Sequence, residues 1–160
     1  MEQEGRPAAA GSALATDGTQ SSGIVGNEHT RVGEIWHFAL PVPYNTSSKA
    51  IEITDVAIEH IPSGLEVLEY GAYHLNDTEG LPVLAKEGGP HTPEFAKLKN
   101  YVAKPVKVPA GKESDIFYLA RVQITAPPKE TARKCRFEYE QSGQEYTQTL
   151  DCELELRVSK

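Results

Sequence analysis

The sequence predicts an all-β chain, an antiparallel β-sandwich of about seven or eight strands with one short helix in a long loop. Three observations lead there. From Ile24 onward, apolar residues recur mostly with a period of two, the repeat of a strand with one buried face. Eleven prolines and thirteen glycines cut the 160 residues into short stretches, which suits strands and turns better than long helices. The length is that of about one domain, and several short strands of this kind satisfy their apolar faces by packing as two sheets.

The first 23 residues are rich in Ala, Gly, Ser and Thr, with Leu14 their only large aliphatic side chain. So little apolar area does not offset the entropy of ordering. Residues 1–23 are therefore expected to be a disordered tail or stalk, and residues 24–160 the sandwich domain. The acidic start lacks an apolar h-region, so any membrane association is expected through an N-terminal anchor outside this sequence.

In "EIWHFAL" Trp36, Phe38 and Leu40 share one face, with Ile35, His37 and Ala39 on the other; Pro41 and Pro43 then end the strand. "KAIEITDVAIEHI" alternates through Ile51 and Ile53, then changes phase to Val56 and Ile58, as a β-bulge would make it. "GLEVLEYGAYHL" does the same, Leu65 and Val67 giving way to Leu68, Tyr70, Ala72 and His74. An irregular stretch over residues 76–104 holds the helix signal. Thr92 is its expected N-cap and Pro93 its first residue, with Phe95, Leu98 and Val102 on one face. A long strand follows with Ile116, Tyr118, Ala120, Val122 and Ile124 on one side.

The chain closes on the hairpin "CRFEYEQSGQEYTQTLDC", which contains both cysteines. A two-residue turn on Gly143-Gln144 places Cys135 directly opposite Cys152. That register also sets Arg136 against Asp151, Lys134 against Glu153 and Phe137 against Leu150. It leaves Tyr139, Tyr146, Leu154 and Leu156 on the cysteines' side and the carboxylates on the other. The spacing is too long for a redox Cys-x-x-Cys, and no histidine is near to complete a zinc site. Cys135 and Cys152 are expected to form a structural disulfide, which points to an oxidising compartment.

The "VPAGKESDIFYLARVQI" passage and this hairpin resemble the immunoglobulin-like sandwich domains of exported or membrane-tethered bacterial proteins, over roughly residues 30–158. The resemblance implies an immunoglobulin-like topology, a bacterial cell-envelope or secreted location, and no catalytic residues. Trp36 precedes both cysteines, so the inter-sheet disulfide of antibody-type domains is not implied.

The net charge of −7 argues against nucleic-acid binding. The phosphate-cradling, nucleophile-elbow and His-Glu-x-x-His patterns are absent, and no cofactor or metal is expected. Between Lys86 and Lys112 six lysines face only Glu87 and Glu94, a local balance of +4 in an acidic protein. Long loops on a rigid sandwich commonly carry binding. Lys86, His91, Phe95, Lys97, Lys99, Tyr101 and Lys104 are thus the expected binding residues, contacting a protein or an anionic envelope component without catalysis. The alternatives are a purely structural spacer domain, and a small hydrolase or metal protein using His74, Asp77 and His91. The sequence leaves open whether His37 and His74 meet on one sheet. Asn45-Thr46-Ser47 and Asn76-Asp77-Thr78 match the glycosylation pattern.

Overall fold

The structure, a computed structural model, describes residues 8–16 and 23–159. It is an all-β sandwich. The first sheet is built from β2 (Ile24–Thr30), β5 (Ile51–His60), β8 (Val106–Val108), β11 (Ala132–Gln141) and β12 (Gln144–Val158), with a two-residue β1 (Ala9–Ala10). Its order is β1-β12-β11-β5-β8, and β2 shares the outer edge of β12 with β1. The second sheet has the order β6-β10-β3-β7, where β3 is Ile35–Ala39, β6 Leu65–His74, β7 Leu84–Lys86 and β10 Ile116–Ile124. A small ribbon joins β4 (Tyr44–Asn45) to β9 (Lys112–Glu113). Among the described residues no helix is long and apolar enough to cross a membrane.

The alternation in the sequence becomes the core between the sheets. Trp36, Phe38, Tyr118, Ala120, Val122 and Ile124 from the second sheet meet Ile51, Ile53, Phe137, Leu150 and Leu154 from the first. Tyr118 and Phe137 touch edge to face across the gap, ring centroids 6.2 Å apart. Both phase changes are bulges. Pairing of β5 with β11 skips Thr54, so Ile53 and Val56 both point inward. Pairing of β6 with β10 skips Leu68, which is therefore 36% exposed and not on the inner face.

The hairpin departs from its expected register. The turn lies on Ser142-Gly143, both with positive φ (53° and 81°), between paired Gln141 and Gln144. This is the backbone of a type I′ turn, whose twist matches that of the flanking strands. Phe137 therefore faces Gln148, and Cys135 faces Leu150. A slip of two residues preserves parity, so every side chain keeps its expected face. A bulge then sets Lys134 (φ 71°) against both Asp151 and Cys152 and shifts the ladder, bringing the cysteine Cα atoms to 5.9 Å in a Cys135–Cys152 disulfide. The expected charge pairs change with it. Lys134 binds Asp151 at 2.7 Å, while Arg136 reaches Glu138 and Glu59.

Expected disorder over residues 1–23 is overturned for residues 8–16; residues 1–7 and 17–22 lie outside the described part. Leu14 is 2% exposed and joins the core, and Ala13 is buried beside it. Gln148 explains why a segment so poor in apolar area is held. Its side-chain oxygen accepts from the Leu14 N–H (3.1 Å) and the Tyr139 hydroxyl (2.8 Å), and its amide donates to the Leu14 carbonyl (2.8 Å). The Tyr139 oxygen in turn accepts from the Ala13 N–H at 3.0 Å. Gly11 is required where the segment crosses Tyr139, since a Cβ there would collide with the phenol oxygen.

Candidate functional site

The second sheet is covered on its outer face as well. Cross-strand pairing of β3, β10 and β6 lays out that face in rows. His37, Arg121 and Glu69 form one row; Ala39, Leu119 and Gly71 form the next, followed by Phe117 and Tyr73. The sequence between β7 and β8 bridges the sheet above these rows. At one edge it leaves β7, which pairs with β3. At the other it is stitched to β6, where Asn100 Oδ1 accepts from the Ala72 N–H (2.9 Å) and the Tyr101 N–H donates to the Ala72 carbonyl (2.7 Å). Between the two, Phe95 reaches down to pack on His37 and Tyr73, at ring-centroid distances of 4.7 and 5.0 Å.

The expected helix is a single 3₁₀ turn, Phe95–Lys97, without a side-chain N-cap. Thr92 donates instead to the Lys86 carbonyl at 2.6 Å, and Val102 is exposed. The turn stops there because Leu98 is already extended (φ −99°, ψ 156°).

Bridge and sheet enclose an open cleft of about 850 Å³, lined by the His37 row, by Leu119, Gly71 and Tyr73, and by bridge residues that include Glu87, Thr92, Phe95 and Leu98. Its polar centre is one network. Glu87 takes two hydrogen bonds from Arg121, from Nε at 2.7 Å and Nη2 at 3.0 Å, and its Oε1 also lies 3.0 Å from His37 Nε2. Arg121 Nη1 reaches Glu69 at 3.5 Å. The Arg121 hydrogen bonds hold the Glu87 carboxyl below its ordinary range. His37 is 5% exposed, and burial pushes its pKa below the usual 6.5, against the pull of Glu87. Its Nδ1 is buried without a hydrogen-bond partner.

Of the expected binding residues, Phe95 lines this cleft. The lysines do not. Lys86 pairs with Glu34 at 3.0 Å, Lys97 with Glu94 at 2.9 Å, and Lys99 sits 4.8 Å over the Tyr101 ring. Lys104 and His91 are exposed and Tyr101 is half-buried, outside the lining. The expected triad does not assemble. The His74 ring accepts from the Asn76 N–H, Asp77 and His91 are exposed, and no group of three metal-ligating side chains occurs among the described residues. His37 and His74 do not meet, because β10 lies between their strands and His37 faces Arg121. Asn45 is fully buried and its amide donates to the Lys49 and Val108 carbonyls, so it is a structural side chain, unlike exposed Asn76.

The sequence reading missed His37, Glu69, Glu87 and Arg121 as a group. The available signal was His37 and Arg121 standing on the face opposite the apolar residues of their strands.

No protein-family model matches the chain, and no curated protein matches it either. Among solved structures it is similar to the Vibrio cholerae VesB protease, at 14% identity and a TM-score of 0.38. That likeness covers 89% of this chain and 32% of the protease chain, and at this distance it carries no argument about function.

Proposed function

We propose that this chain is an extracytoplasmic, non-catalytic binding domain of the immunoglobulin-like kind that engages a protein partner at the cleft beneath its 76–104 segment. The observation that carries the reading is the cleft itself. It has the size of a ligand site, an apolar wall and a few convergent polar groups on a rigid sheet. A protein is favoured over an anionic envelope polymer because the expected lysines lie outside the cleft, while Glu69, Glu87 and Glu94 line it. Parallel pairing of β2 on the final strand supports the immunoglobulin-like topology. The Cys135–Cys152 disulfide supports an oxidising compartment. Mass spectrometry of protein purified without reductant tests that part, and two free thiols would defeat it.

The binding reading is tested by a photo-crosslinking residue at Thr92, on the cleft wall, in the native host. A discrete adduct is expected, lost when Ala96→Trp plugs the rim and absent when the crosslinker sits at Glu140 on the hairpin's exposed face. No adduct from Thr92, with the fold intact, would leave a spacer domain as the better account.

A further inference from the structure

The floor of the cleft carries an unmet requirement. An ionised carboxylate accepts and does not donate, so the proton shared by Glu87 and His37 sits on His37 Nε2. Burial lowers the pKa of the imidazole and so favours its neutral form. Its Nδ1 is then a bare acceptor, buried, with no donor within reach. Leaving such a group unpaired costs stability, and native structures rarely do so without cause.

The charge lining the same cleft points the same way. Glu69 and Glu87 face Arg121, whose Nε, Nη1 and Nη2 are already given to them, while Glu94 on the rim pairs with Lys97. The cleft thus combines excess negative charge, an acceptor lacking its donor, and the apolar surfaces of Phe95, Tyr73 and Leu119.

Building on the cleft as the binding seat, we infer that its ligand presents a cationic nitrogen donor, an ammonium or guanidinium on an apolar stem. The nitrogen donates to His37 Nδ1 and is balanced by Glu69 and Glu87; the stem packs against Leu119 and Tyr73. Phe95 lies on the imidazole, so the donor enters as the Phe95 turn slides outward. That turn has no side-chain cap to hold it. A lysine or arginine side chain of a partner and a free alkylamine share this chemistry.

The test is a titration of the full chain followed by two-dimensional NMR, with histidine ring nitrogens observed through their long-range couplings. The probes are an acetylated, amidated Ala-Lys-Ala peptide, its norleucine twin, agmatine and acetate. The lysine peptide is expected to bind at least about tenfold more tightly than the norleucine twin, and to move the His37 Nδ1 resonance toward its hydrogen-bonded position. Glu69→Gln is expected to weaken it several-fold while leaving the backbone spectrum in place. Agmatine equalling the peptide would assign the seat to free amines; a peptide preferred by tenfold would assign it to a side chain of a partner. Equal binding of the norleucine twin, binding of acetate, or an unmoved Nδ1 resonance with the lysine peptide bound would overturn the inference and leave the cleft reading standing. No probe of any charge perturbing the cleft would overturn both.

Discussion

Two irregular segments cover this sandwich, and they do so in opposite ways. Residues 8–16 lie along the edge of β12 with their polar groups met: Gln148 serves both backbone groups of Leu14, and Tyr139 serves Ala13. Residues 87–100 span the outer face of the second sheet, anchored at both ends, but leave a cleft and an unpartnered imidazole nitrogen in the middle. A covering that satisfies what it covers is part of the core. The other leaves a buried polar atom that the fold itself does not satisfy.

Four measurements put that contrast to the test. Leu14→Ala is expected to have the largest effect, about 3 kcal/mol of stability in chemical denaturation, because the closed core around it collapses poorly. A loss under about 1 kcal/mol would make residues 8–16 an ornament and not a part of the fold. Phe95→Ala removes a larger side chain yet is expected to cost less, about 2 kcal/mol, since it borders an existing cleft and opens no new cavity. A larger loss than for Leu14 would show the bridge to be structural.

The third measurement is stability against pH. The folded-state pKa of His37 is lowered, so below about 6.5 the unfolded chain binds its proton first. Its contribution is fully present above pH 6.5 and is lost as pH falls toward the folded value. Glu87, also lowered, contributes above about 4.5 and loses that contribution only at more acidic pH. His37→Gln should therefore flatten the decline just below pH 6.5 and leave the acid limb below 4.5 in place. An unchanged profile would remove His37 from the account. The smallest effect is expected from Lys97→Ala, within about 0.5 kcal/mol, because the Lys97–Glu94 pair is solvent-exposed.

The faces of the strands were legible in the sequence because parity is robust. Ile51, Ile53, Val56 and Ile58 announced their bulge by changing phase, and Phe137, Tyr139 and Leu150 stayed on the inner side through a register error of two. The turn itself was not legible. Ser142 adopts positive φ, which a serine does not advertise, so Gly143-Gln144 looked the better turn. The 8–16 segment was hidden for another reason. Its order comes from hydrogen bonds to Gln148 and Tyr139, more than 120 residues away, together with the burial of Leu14, and the segment's composition announces neither. The cleft is half visible in the sequence: the long segment and Phe95 stand out, but the lysines that dominate the segment's charge lie outside the lining. The Glu87–His37–Arg121 network joins three separate strands or their ends, and the pairings of β3 with β10 and with β7 bring it together.

The parallel pairing at the edge of β12 has a mechanical consequence. Ile24 opposes Glu153 and Thr30 opposes Val158, so β2 and β12 run the same way. Tension applied at Ile24 and at Val158 pulls the two strands past each other along their length. The bonds between them then share the load and must yield together, whereas strands peeled from one end give way one bond at a time. Ala9 and Ala10 pair with Tyr146 and Thr147 in the same parallel sense, outside the span that this tension loads.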